Sequence, residues 1–281
     1  MASPFMIPTP TRGPFLLGPD SQRQPGVPQG AVTRHEWRST LYPGTVRSYW
    51  VYVPAPYTPA QPANVMLFQD GERYQNATGQ MRVPVVFDNL IHRGEIPVTI
   101  GIFVDPGAYP GLPPVIPPWQ TASEARNREF EYTMPTDLYA RFLLEEILPE
   151  VGTRYNLTRD AAGRAVCGAS NGGFCAFNVA WQRPDAFSKV VSQVGAYVDF
   201  NGGHQYPTLV RKTPRKPIRV FLQTGIQDLE VQAGHFALAN LQMAAALNFA
   251  GYDYRFEYDD DGHSLAHGGA LFPDILRWLW R

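Results

Sequence analysis

The sequence predicts an α/β fold, with a mostly parallel, eight-stranded sheet, an antiparallel hairpin at one edge and helices on both faces. Three observations predict it. Short apolar runs of the kind buried on both faces of a parallel sheet recur along the chain. Stretches of helical period fill the gaps between them, the alternation expected of a parallel α/β sheet. Over 281 residues, 44% are hydrophobic and 17% charged, enough apolar material for a full core. There is no internal repeat and no second core, so one domain over residues 32–281 is expected.

Residues 1–31 are rich in Pro, Gly and Gln without either periodicity and read as an extended arm. Residues 32–39 and 46–53 flank Tyr42-Pro43-Gly44, a turn signal that suggests a hairpin. The parallel strands follow at 64–68, 98–104, 164–167, 189–193 and 218–223, with an alternating strand at 252–258. Helices are expected at 83–92, 137–148 (interrupted by Pro149), 170–182, 234–250 and 273–280. In 234–250, Phe236, Ala239, Met243, Leu247 and Ala250 recur at steps of three and four, a buried helical face. Residues 105–136 hold seven prolines and few periodic positions. A loop that long in a compact domain usually serves function, as a lid or pocket wall.

The formal net charge is -1, which leaves no footprint for nucleic acid or an anionic membrane. Only Lys189, Lys212 and Lys216 are lysines, so arginine supplies most of the positive charge. Cys167 and Cys175 form neither a disulfide framework nor a metal-type spacing. No apolar run reaches the length of a membrane helix. The first 17 residues carry four prolines and no basic segment ahead of an apolar run, so no signal peptide is expected. Asn76-Ala77-Thr78 and Asn156-Leu157-Thr158 match glycosylation acceptors, triplets that also arise by chance.

The sharpest signal is Gly168-Ala169-Ser170-Asn171-Gly172, a G-x-S-x-G pentapeptide between an apolar run and a helical pattern. In a strand–turn–helix elbow the serine takes a strained backbone, and small residues two before and two after avoid clashes. Its hydroxyl then stands at the carboxyl end of the sheet, beside a helix N-terminus that favours negative charge. A serine needs a base, and the base needs a carboxylate to hold it. The acid is expected after the next-to-last strand, at Asp228 with Glu230 as its rival. The base is expected after the last strand, at His263 with His267 as its rival. The run Asp259–Asp261 reads as a tight solvated turn, since no second cluster supports a metal. Two backbone donors should form an oxyanion hole. One is Asn171; the other is Gly71 or Glu72, in the loop after strand 64–68. His35, His92 and His235 read as structural, while His204, past the strand that follows the elbow helix, is a candidate for the pocket.

These residues resemble the esterase D and enterochelin-esterase-like branch of the α/β-hydrolases, which includes feruloyl and acetyl-xylan esterases and mycolyl acyltransferases. The likeness covers about residues 32–281. It rests on Asn127-Arg128-Glu129-Phe130-Glu131-Tyr132, Glu145-Glu146-Ile147-Leu148-Pro149, the stretch from Arg164 to Phe187, and the tail from Asp261 to Leu279. It implies a single α/β-hydrolase domain with nucleophile Ser170, acid Asp228 and base His263. Asn171 departs from the family, which more often places an apolar residue there, and makes the pocket floor more polar. The resemblance also implies a serine esterase that needs no cofactor or metal, in a secreted or periplasmic mature form. The expected partner is a small-molecule or polysaccharide-linked ester, feruloyl or acetyl by first choice. A siderophore ester, acyl transfer to a sugar and a non-catalytic binding module are the alternatives. Tyr109 and Trp119, in the proline-rich segment, are expected to stack on an aromatic or sugar ring.

Overall fold

Strand β1 (Ala31–Arg38) pairs antiparallel with β2 (Val46–Val53), opposing Ala31 to Val53 and Arg38 to Val46, as the Tyr42-Pro43-Gly44 turn predicts. The computed structural model describes residues 4–111 and 122–281. Strands β3 (Asn64–Gln69) and β4 (Thr99–Val104) pair parallel, and β2 runs antiparallel along β4. Then come β5 (Arg164–Ala169), β6 (Lys189–Gln193), β7 (Arg219–Gly225), a small ribbon of β8 (Glu230–Val231) with β9 (Gly234–His235), and β10 (Asp253–Asp259). The eight-stranded sheet has the order β1-β2-β4-β3-β5-β6-β7-β10, and from β4 to β10 every neighbouring pair is parallel. Each of the eight expected strands is present.

Alternation along the central strands sends side chains to two apolar layers. On β3, Val65 and Leu67 join one layer, while Met66 and Phe68 join the other. Helices α1 (Glu72–Gln75), α2 (Val83–His92) and α3 (Ala122–Thr133) precede a long helical run, α4 (Leu138–Phe142) to α5 (Leu148–Gly152). After these come α6 (Asn171–Gln182), α7 (Tyr206–Lys212), α8 (Phe236–Phe249) and α9 (Ala266–Trp280). Helices α2 and α9 cover the Met66/Phe68 face, through Val86, Phe87, Leu90, Phe272, Ile275 and Leu279. Helices α4, α6 and α8 cover the opposite face with Phe142, Phe174, Phe177, Met243 and Leu247.

Three expectations are corrected. Pro149 does not interrupt the 137–148 helix, because Leu143–Ile147 forms a π-helical turn that carries the chain through to Gly152. The wider turn absorbs the clash between a proline ring and the carbonyl four residues earlier. The last helix begins at Ala266 rather than at Pro273, which lies inside it and removes a single backbone bond. The segment 105–136 is not all loop, since α3 lies within it.

Long-range charge fixes α3 in place. Glu131 on α3 receives the Arg47 guanidinium from β2 at 2.5 and 2.8 Å, with both side chains fully buried. Burial works against both charges. The Glu131 carboxylate more than offsets it for Arg47, whose pKa is raised, whereas burial pushes the Glu131 carboxyl above its ordinary value despite the guanidinium beside it. The guanidinium also lies 4.2 Å from the centre of the Phe142 ring. Glu131→Gln leaves a buried cation without its counter-charge. It is expected to destabilise the fold by about 3–5 kcal/mol, read from the urea-unfolding midpoint. Cys167 and Cys175 are both buried free thiols, and burial pushes their pKa up, so neither is a nucleophile at neutral pH.

Candidate active site

Strand β3 changes direction of travel across the sheet. From it the chain passes to β4 on one side, while β5 and everything after it build outward on the other. Ligands of open α/β sheets bind at such a switch, outside the carboxyl ends of the strands. Because β3 and β5 are hydrogen-bonded neighbours, the loop after β3 and the elbow after β5 face each other there.

The elbow carries Ser170 at φ 60° and ψ −126°, between the end of β5 and the start of α6. A non-glycine residue adopts that backbone only when its surroundings impose it. Here the Ser170 N–H donates to the Gln193 carbonyl (3.0 Å), and the Ser170 carbonyl accepts from Gly173, Phe174 and Ala196. A Cβ on Gly168 would collide with the Gly172 carbonyl, which is why the pentapeptide needs glycine there. Val194, after β6, is a second strained residue, at φ 41°.

Asp228 follows β7 and is fully buried, and its Oδ1 lies 2.6 Å from His263 Nδ1. Leu229 N–H donates to the same oxygen at 2.7 Å, and the Thr224 hydroxyl donates to Oδ2 at 2.7 Å. Both oxygens are thus committed, and the carboxylate can hold the imidazole in one orientation. The edge of Phe236 meets the His263 ring at 5.2 Å between centroids. Ser170 and His263 line one cleft of about 430 Å³, together with Glu72, Arg73, Asn76, Gln80, Val194, Ser264 and Leu265. The rivals lie elsewhere. Glu230 is exposed on the β8 ribbon. His267 is buried and paired with Asp259 at 2.6 Å.

The loop after β3 is built differently from expectation. A Cβ on Gly71 would collide with the Phe103 backbone, so this position needs glycine for close approach to β4. The Gly71 N–H is spent on the Val104 carbonyl at 3.2 Å, which corrects its assignment as a free donor. The Glu72 N–H donates to Asp105 Oδ1 at 3.0 Å, so that amide already faces an anionic oxygen. Beside them Asp70, at φ 56°, forms a two-bond pair with Arg128 of α3, at 2.7 and 2.6 Å. Burial works against the Arg128 charge, and the Asp70 carboxylate more than restores it. The Asp70 N–H donates to the Tyr132 hydroxyl at 3.0 Å. Arg128 and Tyr132 thus brace the loop from a helix that the proline-rich sequence hides.

Of the residues expected to touch substrate, His204 points instead to Asp199, 3.0 Å away, with about half its side chain exposed. Tyr109 packs near Gly44, at the β1–β2 turn. Neither lines the cleft around Ser170. Trp119 lies outside the described residues. Among the described residues, no group of three or more His, Cys, Asp or Glu is placed to hold a metal ion, and no helix is long and apolar enough to cross a membrane.

Residues 42–244 match the esterase family model, described as "Putative esterase". The chain belongs to the esterase family. It is 25% identical over 277 residues to the iron(III) enterobactin esterase of Escherichia coli O6:H1, a match that covers 96% of this chain and 62% of that protein. It is 24% identical over 232 residues to the uncharacterized protein YjcH of Bacillus subtilis, covering 81% of this chain and 88% of YjcH. Among solved structures it resembles the ferric enterobactin esterase of Salmonella typhimurium, with TM-score 0.72 and 20% identity over 94% of this chain and 62% of that one. The ferulic acid esterase AmCE1/Fae1A of Anaeromyces mucronatus gives TM-score 0.71 and 17% identity, covering 93% and 94%. These neighbours share the α/β-hydrolase fold. As a member of the esterase family, the protein stands among the carboxylic ester hydrolases.

Proposed function

We propose that the protein hydrolyses carboxylic esters through Ser170, His263 and Asp228. The observation that carries this reading is the 2.6 Å contact between buried Asp228 and His263, in the cleft that the strained Ser170 also lines. The Ser170 hydroxyl attacks the ester carbonyl while the His263 Nε2 takes its proton. Asp228 accepts from Nδ1–H and stabilises the imidazolium. The tetrahedral oxyanion collapses, His263 gives the proton to the leaving alcohol, and an acyl-enzyme remains. Water, deprotonated by the same imidazole, then releases the acid and restores the serine. The Asn171 amide, first in α6 after the nucleophile, is one donor to the oxyanion. The second donor would come from the loop after β3, where the Glu72 amide, bonded to Asp105 Oδ1 as Gly71 is to Val104, would have to exchange that partner for the oxyanion.

For the substrate, we infer an ester on a carbohydrate, carrying a feruloyl or acetyl group. Glu72, Arg73, Asn76, Gln80 and Ser264 give the cleft a hydrogen-bonding rim suited to sugar hydroxyls. A siderophore ester is the second reading, favoured by the 277-residue match to the iron(III) enterobactin esterase. Domain organisation follows the same reading, with residues 32–281 as the catalytic unit and 1–31 as an N-terminal arm, whose described part lies against it. A fluorophosphonate probe is expected to label the wild-type protein and not Ser170→Ala. Methyl ferulate, acetylated xylan and enterobactin, assayed side by side, then separate the substrate readings. Labelling of Ser170→Ala at the wild-type rate would overturn the mechanism.

A further inference from the structure

The loop that carries His263 leaves β10 at Asp259 and enters the first turn of α9 at His267, four positions to either side of the imidazole. These two residues close on each other, with His267 Nδ1 2.6 Å from Asp259 Oδ2. Asp259 is fully buried and His267 is 3% exposed. The carboxylate is held from both sides: Gln223 Nε2 donates to Oδ2 at 2.7 Å, and the Asp261 N–H donates to Oδ1 at 2.8 Å. Main-chain bonds tie the same loop to the turn that carries Asp228. The Ile226 N–H donates to the Asp259 carbonyl at 2.8 Å, and the Gln227 N–H donates to the Asp261 carbonyl at 3.1 Å.

The N-terminal arm covers this closure from outside. The Thr11 N–H donates to the Tyr258 carbonyl at 2.8 Å, and the Asp260 N–H donates to the Thr11 carbonyl at 3.0 Å. The Gly13 N–H donates to Asp260 Oδ1 at 2.9 Å. The Phe15 ring then lies on the His267 imidazole, 4.2 Å between centroids with the planes 30° apart.

We infer that Asp259 and His267 form a clasp, held shut by arm residues 11–15, that fixes the position of His263. The inference rests on His263 being the general base. Both clasp residues are positioning residues. His267 lies under Phe15 and does not line the cleft, so it touches no substrate. A loop joined at its two ends has few conformations open to it, and the imidazole at its centre inherits that restriction. Opening the clasp lets His263 drift from the line between Asp228 and Ser170, and small misplacements of a catalytic group slow chemistry steeply.

The test uses p-nitrophenyl acetate and full-length variants. Thr11→Pro removes the N–H that the arm donates to the Tyr258 carbonyl at the edge of β10, and Phe15→Ala removes the ring over the clasp. Both leave the buried pair intact. His267→Phe keeps a ring under Phe15 without a donor, and His267→Asn restores an N–H where Nδ1 stood. His267→Phe is expected to lower kcat by about 10–100-fold, with KM held within about twofold. His267→Asn should recover most of that loss. The arm variants should lower kcat by about 3–10-fold, again with little change in KM. Equal impairment of His267→Asn and His267→Phe would overturn the clasp, as would arm variants with wild-type kcat. If His267→Phe does not fold, the arm variants decide. Ser170→Ala and His263→Ala run alongside. Wild-type activity in those two overturns the triad itself, whereas their inactivity beside wild-type arm variants overturns the clasp alone.

Discussion

Ser170→Ala is expected to lower kcat by about a millionfold, with KM little changed. In the proposed mechanism the serine oxygen is the atom that bonds to the acyl carbon, and alanine offers nothing in its place. A residual rate of about 10³–10⁴ over water should persist, because backbone oxyanion donors and substrate binding are not removed with the hydroxyl. Stopped-flow kinetics with p-nitrophenyl acetate checks this directly. Wild-type protein should show a burst of p-nitrophenolate if deacylation is slower than acylation, and the variant should show none. The substitution also relieves no strain, since alanine at φ 60° is as strained as serine, so thermal stability should stay close to wild type.

Asp228→Asn has the next largest expected effect, a fall in kcat of about 10⁴-fold. Its Oδ1 faces His263 Nδ1 at 2.6 Å, and the proposed mechanism places the proton on that nitrogen and the base on Nε2. An asparagine fits the same space, but with one acceptor oxygen it cannot accept from both the Leu229 N–H and the Thr224 hydroxyl. Its amide cannot stabilise the imidazolium as a carboxylate does, and an N–H turned toward the ring favours the wrong tautomer. Glu230→Gln is the control. That side chain is exposed on the β8 ribbon, and its variant should turn over at the wild-type rate. The kcat/KM of both variants against p-nitrophenyl acetate settles which carboxylate serves the histidine.

Local chemistry was readable without coordinates where a single short segment carries it. Gly168 and Ser170 announce an elbow because the clash that selects glycine at 168, with the Gly172 carbonyl, acts within five residues. The space around Gly172 is instead closed by Gln69 and Asp70, at the end of the neighbouring strand. The central strands were readable because burial on both faces leaves an unbroken apolar run. Helix α3 was not, because its position depends on Glu131 meeting Arg47 and Arg128 meeting Asp70, 84 and 58 residues apart. Neither partner can be chosen from spacing. The assignments of Gly71 and His204 failed for a related reason. Whether an amide is free or a ring faces a cleft depends on which neighbour reaches it first, here Val104 and Asp199.

By itself, then, the amino-acid order determined the alternating architecture, the strained turn at Ser170 and the chain order in which a carboxylate and a histidine follow it. Those features come from backbone sterics and from hydrophobic period, which act over a few residues. Only the tertiary structure decided that Asp228 rather than Glu230 meets His263, that His267 turns inward to Asp259, and that the arm reaches back to cover that pair. Each of those choices is a contest between polar groups brought together by neighbouring strands, and burial makes the winner's hydrogen bond worth keeping.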